Sequence, residues 1–152
     1  MIEKRRRTLA LDLGRARIGM AISDERKIIA SPLETISAGK TCELSVQVIA
    51  KEIAKMEGQG YFIDEVVVGL PLKMSGDSGT MAEEAKKFAA LLKLAVPCAV
   101  VVWDERLTTV QAERSMREGN MRRKKRAKSI DSVTAVIILQ SYLDTKSNSF
   151  FP

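Results

Sequence analysis

Several residue types that build catalytic and structural sites are absent or scarce in this chain of 152 residues. It contains no histidine, which excludes an imidazole general base, a Ser-His-Asp triad and a histidine metal ligand. Its two cysteines, Cys42 and Cys98, lack the paired spacing of a zinc site and indicate small buried side chains in a reducing compartment. If the chain binds a metal, carboxylates must hold it, and oxygen ligands favour Mg²⁺ or Mn²⁺.

Long hydrophobic segments are also missing. No apolar stretch approaches the about 20 residues of a membrane-spanning helix, and the longest one, at 94–103, is interrupted by Pro97. The basic start at 4–7 is similar to the charged region of a signal peptide, but Asp12 breaks the apolar stretch that should follow. We therefore expect a cytoplasmic protein with no membrane partner.

The length favours a single domain over residues 1–152. We expect a basic arm at 1–7 and a frayed tail at 145–152 around it. The sequence contains no internal repeat and no low-complexity linker, so it gives no sign of a domain boundary. It leaves the oligomeric state open.

Positive charge is present in excess and is concentrated in one segment. The net charge is +6, and residues 114–128 contain eight basic residues against one acid, Glu118. This density predicts contact with the phosphates of a nucleic acid without sequence specificity, although a solvated loop is the alternative. The candidate contacts are Arg122, Arg123, Lys124 and Lys125.

The apolar periodicity predicts an α/β domain. Strands joined through a helix usually lie parallel, so the first, fourth and fifth strands should form the parallel half of a mixed sheet. The first three strands should form an antiparallel meander, which gives a five-stranded sheet of order 3-2-1-4-5 with helices on both faces. The predicted strands lie at 8–13, 17–22, 28–33, 65–70 and 99–103, the last of them interior, and the helices at 42–57, from 80, at 108–119 and at 129–143.

An acidic residue lies inside the first apolar strand. An ionised Asp12 in a half-buried strand costs several kcal/mol unless a cation or hydrogen bonds compensate it. A strand interior offers no helix-cap or turn role, so we interpret Asp12 as a metal ligand. Asp24, in contrast, follows a strand and is interpreted as the cap of a turn.

Four blocks of the sequence closely resemble the YqgF/RuvX family, in the order that the family has them. They are LDLG with RIGMAISD at 11–24, VVVGLP at 66–71, DERLTT at 104–109 and DSVTA at 131–135. The resemblance implies an RNase H-like fold and a nuclease that acts on the precursor of 16S rRNA. It also implies a relation to Holliday-junction resolvases.

The resemblance further implies an acidic triad of Asp12, Glu105 and Asp131, which would be catalytic and hold Mg²⁺ or Mn²⁺. Many RNase H-like nucleases carry an acid at the end of the fourth strand, where this chain has Gly69 and Leu70. Each later acid has an alternative: Glu105 could pair with a nearby cation, and Asp131 could favour the positive start of a helix.

Asp104 and Glu105 should point to opposite faces if the fifth strand continues, so one of them should enter the site. The family pattern favours Glu105. The mechanism that we expect is two-metal phosphodiester hydrolysis in which Asp12 bridges the ions. Further candidate phosphate contacts are Arg17, Lys73 and Arg106.

The expected substrate is a nucleic acid: precursor rRNA, with branched DNA as the alternative. Three other interpretations remain open at this point. They are an actin-like nucleotide-binding protein, whose first hairpin also contains an Asp-x-Gly turn, a non-catalytic RNA-binding factor of ribosome assembly, and a Holliday-junction resolvase.

Overall fold

The computed structural model describes residues 5–14, 16–71, 80–105 and 130–148. The predicted helix at 108–119 and the basic run at 114–128 lie outside the described residues. The described elements follow one another as β1 (Arg6–Leu13), β2 (Arg17–Ser23), β3 (Ala30–Ser37), α1 (Cys42–Gly58), β4 (Phe62–Leu70), α2 (Thr80–Ala95), β5 (Ala99–Asp104) and α3 (Ile130–Asn148).

The described strands form one mixed sheet in the order β3-β2-β1-β4-β5. β2 is antiparallel to both β1 and β3, whereas β4 is parallel to both β1 and β5. This confirms the predicted strand order, the meander and the parallel half. Because β1, β4 and β5 run in one direction, their carboxyl ends meet at one side of the sheet, which we call the carboxyl edge.

The two faces of the sheet pack against different helices, as predicted. α1 and α2 cover one face, where large side chains such as Leu9 and Phe88 belong to the main core. α3 covers the other face, where the small side chains of Ala10 and Ala21 pack in one cluster with Ile138. We call this second side the α3 face. Its small residues leave room for the helix close to the strands.

α3 runs antiparallel to β4. Ile138 lies against Gly69, near the end of the strand. Four residues later, the Tyr142 hydroxyl donates a hydrogen bond of 2.6 Å to Glu65, near the start of the strand. The first turn of α3 therefore lies toward the carboxyl edge.

The third strand begins later than the predicted 28–33. Ile28 and Ile29 lie in the turn before it and are more than half exposed. Asp24 accepts hydrogen bonds from the backbone N–H groups of both residues, at 2.7 and 3.0 Å, and thereby closes the turn. The strand starts only after this turn and spans Ala30–Ser37. Asp24 has the turn-capping role that the sequence indicated.

The prediction that the fifth strand is interior is wrong. β5 lies at an edge of the described sheet, and Val102 is 41% exposed. A continuous apolar run indicates contacts on both faces of a strand, but it does not reveal how many neighbours the strand has.

The predicted arm and tail are also shorter than expected. Arg6 and Arg7 already belong to β1, and α3 continues to Asn148. Contacts hold Arg7 in place there, because its guanidinium donates a hydrogen bond to the Ser23 carbonyl and stacks over the Tyr61 ring. None of the described helices combines the length and the apolar character needed to cross a lipid bilayer.

Candidate active site

Asp12 lies near the end of β1 on the α3 face. Ala10, two residues earlier, belongs to the cluster under α3, and alternate residues of a strand share a face. Directly opposite on β2 is Gly19, which has no side chain to cover the Asp12 carboxylate. Asp12 is 8% exposed. Protein therefore encloses most of this residue, although it lies at the carboxyl edge.

Glu105 follows β5 and is completely buried. Its Oε1 atom would lie 3.2 Å from a Cβ atom placed on Gly69, so the carboxylate lies over the end of β4. Gly69 comes two residues after Val67, which packs in the cluster under α3. The Glu105 side chain therefore turns inward from the edge strand onto the α3 face.

The Asp12 and Glu105 carboxylates consequently approach each other. Leu11 pairs with Val68, so Asp12 is level with Gly69 on the adjacent strand. β1 and β5 are two strand spacings apart, about 9 to 10 Å. Since the Glu105 carboxylate lies over β4, only about one spacing of roughly 4.8 Å separates it from β1.

The two consecutive acids at the end of β5 lie on different faces. Asp104 pairs in register with Leu70, which belongs to the core under α1 and α2. It therefore lies on the face opposite Asp12. Glu105 is the acid that lies on the α3 face, beside Gly69.

Asp131 is the second residue of α3. Its side chain lies outside the described part. It precedes Ile138 by seven residues, which is two helical turns, and so it lies on the helix side that contacts Gly69. Thr134 and Ala135 on this side are buried. The direction of α3 brings this turn toward the carboxyl edge.

Arg17 is the predicted phosphate contact that lies among the described residues. It is the exposed first residue of β2 and precedes Gly19 by two positions, so it lies on the same face as Asp12. The other predicted contacts lie outside the described residues: Lys73, Arg106, Arg122, Arg123, Lys124 and Lys125.

Among the described side chains, no group of three or more Cys, Asp or Glu residues is arranged to hold a metal ion. The described part contains two of the three predicted ligands, Asp12 and Glu105. The two cysteines are free and only partly buried, and burial raises the pKa of both thiols, which opposes their use as ligands.

A cavity of about 730 Å³ lies between the β1–β2 turn and the first turns of α1 and α2. Two lysines and two glutamates line it: Lys40, Lys87, Glu43 and Glu84. Their charges cancel, so the cavity does not favour a polyanion. It borders the main core through Phe88, on the face opposite Asp12.

Gly69 also belongs to the site, and the sequence alone did not predict this. The sequence showed only that an acid expected in related nucleases is absent there. A glycine inside a strand pattern often marks the close approach of another group, and this signal points to Gly69 without identifying what approaches.

Comparison with known proteins shows the family. The sequence profile of the RuvX family, described as Holliday junction resolvase, matches residues 6–145. A relative from Protochlamydia amoebophila (strain UWE25) is 53% identical over 141 residues, which cover 92% of this chain and 94% of the relative. Another, from Caldanaerobacter subterraneus subsp. tengcongensis, is 46% identical over 144 residues, which cover 94% of this chain and 99% of the relative. Both carry the provisional name pre-16S rRNA nuclease.

Among solved structures, Thermus thermophilus RuvC in complex with a Holliday junction substrate matches with a TM-score of 0.54 at 11% sequence identity. The match covers 94% of this chain and 96% of that chain. It confirms the predicted RNase H-like sheet and, at this identity, shows the fold alone. The sequence matches confirm the interpretation of a hydrolytic nuclease. The chain belongs to the RuvX family.

Proposed function

We propose that this chain is a divalent-metal-dependent nuclease that hydrolyses phosphodiester bonds in the precursor of 16S rRNA in the cytoplasm. The observation that carries the proposal is the convergence of the Asp12 and Glu105 carboxylates on the α3 face. Open α/β sheets bind their ligands at the carboxyl edge, where both residues lie. The names of the relatives support the choice of substrate.

The donors at this edge fit Mg²⁺ or Mn²⁺. Two largely buried carboxylates about one strand spacing apart repel each other, and a divalent cation between them removes this cost. Both donors are hard oxygen ligands, which these ions prefer. We assign Asp12, Glu105 and Asp131 as the residues that hold the ions. Two bound ions would supply water activation and stabilisation of the leaving oxygen.

Apart from holding the ions, residues of the chain would fix the two carboxylates and bind the substrate. Burial of Glu105 and near-burial of Asp12 fix the carboxylates and exclude bulk water from them. The exposed Arg17 on the same face would bind a backbone phosphate next to the cleaved bond. The basic run at 114–128 would hold the flanking strand by charge.

A four-way DNA junction is the second candidate substrate, because the family is described as Holliday junction resolvase. Both substrates present a backbone of phosphates. The acidic site and the basic run therefore fit either one, and the substrate has to be identified by direct comparison.

A cleavage screen tests the proposal. Full-length protein is incubated with precursor rRNA, single-stranded RNA and a four-way DNA junction, with Mg²⁺, with Mn²⁺ and with a chelator. We expect metal-dependent cleavage of the precursor that Asp12→Asn and Glu105→Gln abolish. Glu57→Gln, an exposed acid at the end of α1, is the matched control and should cleave like the wild type.

Each competing interpretation has its own signature in this screen. Metal-independent RNA binding without cleavage would identify a non-catalytic assembly factor. Cleavage of the junction alone would identify a resolvase. Thermal stabilisation by ATP, with no cleavage of any substrate, would identify an actin-like nucleotide-binding protein.

The three acids should act as one unit. We expect Asp12→Asn, Glu105→Gln and Asp131→Asn each to remove most of the activity, and any pair of them to lose little more than the worse single variant. Single-turnover cleavage rates of the three single and three double variants provide the measurement. Losses in activation free energy that add up across the pairs would contradict a shared metal site.

A further inference from the structure

Gly69 has an ordinary backbone conformation. Among the described glycines, only Gly60 has a positive φ, so any residue could adopt the backbone conformation found at Gly69. Glycine in the interior of a strand also weakens it, because glycine loses the most conformational entropy on folding. The reason for glycine at this position therefore lies in the space around it.

Two side chains fill that space. A Cβ atom at position 69 would lie 2.5 Å from Cδ1 of Ile138 and 3.2 Å from Oε1 of Glu105. Ile138 could withdraw its terminal methyl group by changing its rotamer. Glu105 has no exposed surface, so its carboxylate is enclosed by neighbouring atoms and has little freedom to retreat.

We propose that Gly69 is a positioning residue for the metal site, because its missing side chain forms the space through which the Glu105 carboxylate reaches Asp12. This inference rests on the proposed function. A Cβ atom at position 69 forces the Glu105 carboxylate to shift by a few tenths of an ångström from this place.

A simpler role for Gly69 is to let α3 approach the sheet. The contact with Ile138 supports that role, and both roles predict that Gly69→Ala is harmful. They differ in which neighbour matters. Ile138→Val removes the Cδ1 atom, which is the closest obstacle to a Cβ at position 69, and leaves the Glu105 contact unchanged.

The test therefore uses Gly69→Ala, Ile138→Val, their double variant and Glu105→Gln, all in the full-length chain. Gly58→Ala is the matched glycine control, because a Cβ there meets nothing within 4 Å. Two quantities are measured: the melting temperature without metal, and the affinity for Mn²⁺ by calorimetry.

We expect Gly69→Ala to melt several degrees below the wild type and the double variant to regain part of this loss, because removal of Cδ1 relieves the closer contact while the contact with Glu105 remains. The double variant should nevertheless bind Mn²⁺ at least about tenfold more weakly than Ile138→Val, as expected when a metal ligand loses its support. Equal Mn²⁺ affinities of these two variants would overturn the inference, as would a double variant that does not fold. In both cases Gly69 would serve α3 packing alone.

These proteins, together with a variant that combines Gly69→Ala and Glu105→Gln, separate failure of this inference from failure of the proposed site. If wild type and Glu105→Gln bind Mn²⁺ equally, Glu105 is not a ligand, and the site and the inference both fall. If Glu105 is a ligand, adding Gly69→Ala to Glu105→Gln should weaken Mn²⁺ binding no further, since Gly69 acts through Glu105. Full additivity of the two effects would overturn the positioning role while leaving the metal site in place.

Discussion

The Asp24 carboxylate closes the turn between β2 and β3. It accepts hydrogen bonds from the N–H groups of Ile28 and Ile29. Because Asp24→Ala removes two hydrogen bonds to a carboxylate, we expect it to lower the free energy of unfolding by about 2 kcal/mol, measured by urea denaturation. Nuclease activity should be retained, since Asp24 follows the end of β2 that lies away from the carboxyl edge. Glu57→Ala is the control and should change stability by less than about 0.5 kcal/mol.

The stabilising effect of Asp24 depends on pH. The hydrogen bond from the Ile29 N–H, reinforced by that of Ile28, holds the pKa of Asp24 below its usual value. A carboxyl group with a lowered pKa stabilises the fold above the unfolded value of about 3.9, and this contribution is lost as the pH falls through the folded pKa. The stability difference between wild type and Asp24→Ala should therefore be constant between about pH 5 and pH 7 and shrink in stronger acid. A difference that grows in acid would contradict the turn-capping role.

At the scale of residues, the sequence predicted what depends on local pattern. Asp12 stood out because a carboxylate inside an apolar strand has no local role. Glu105 needed the family resemblance, since the face taken by a residue just after a strand depends on whether the strand continues. The relation between Gly69 and Glu105 could not be predicted, because it depends on a distance between two strands that only the folded sheet defines.

At the scale of elements, α3 is fixed to the sheet by polar contacts as well as by its apolar side. Gln140 donates to the Ile28 carbonyl at 2.8 Å and accepts from the Ala30 N–H at 3.0 Å. The Tyr142 hydroxyl donates to Glu65, and the Tyr142 ring packs edge-on against Trp103. These contacts set how the helix lies along the sheet and hence where its first turn, with Asp131, is placed.

Removal of the Tyr142 hydroxyl tests this anchor. Tyr142→Phe keeps the ring contact but deprives the Glu65 carboxylate of a donor, so we expect a loss of about 2 kcal/mol in unfolding free energy. The matched control is Tyr61→Phe, because Tyr61 is exposed and its ring keeps its contact with Arg7. A loss as small as that of the control would show that the hydrogen bond adds nothing.

Alkaline pH provides a second test of the same anchor. Burial, and then the hydrogen bond to Glu65, raise the pKa of Tyr142 above the usual value of about 10. A raised pKa gives stability that is fully present below the unfolded pKa and is lost as the pH rises through the folded one. The melting temperature of the wild type should therefore fall above about pH 10, and that of Tyr142→Phe should fall less.

Helices and strands were predicted correctly where the apolar periodicity extends over many residues and capping or turn residues mark its ends. α1 begins at the predicted residue, and Thr41 caps it by accepting a hydrogen bond from the Leu44 N–H. β3 was misplaced because Ile28 and Ile29 are apolar but lie in a turn that a side chain closes. Periodicity records residue type and contains no information about such a hydrogen bond.

At the scale of the whole molecule, the strand order was correct because few topologies satisfy the connection rules. Parallel strands have to be joined by a crossover connection, and strands joined by a hairpin lie next to each other. The order 3-2-1-4-5 satisfies both conditions. This order already places β5 at an edge, and the expectation of an interior fifth strand came from its apolar run alone. The basic run at 114–128 lies outside the described residues, so its role remains a prediction.

Salt dependence of binding tests that role. If Arg122, Arg123, Lys124 and Lys125 contact phosphates of single-stranded nucleic acid, each contact removed should reduce the slope of log affinity against log salt by about 0.7. Neutralising all four should weaken binding to different sequences by a similar factor. It should raise the substrate concentration needed for half-maximal cleavage and leave the cleavage rate at saturating substrate largely unchanged. An unchanged slope would identify a solvated loop. The charge-matched control neutralises four exposed lysines of α1 and α2: Lys51, Lys55, Lys86 and Lys93.

The order of the elements along the chain has a consequence for the protein during its synthesis. β1 and its Asp12 leave the ribosome first, whereas β5 and α3 follow about a hundred residues later. At roughly 5 to 20 residues per second, the first hairpins wait several seconds or longer for their partners. Until α3 docks, Ala10 and Ala21 have no helix over them, and until β5 pairs, Asp12 has no Glu105 beside it. If Asp12, Glu105 and Asp131 form the active site, a growing chain lacks part of that site until β5 and α3 have been made and have docked on the first three strands.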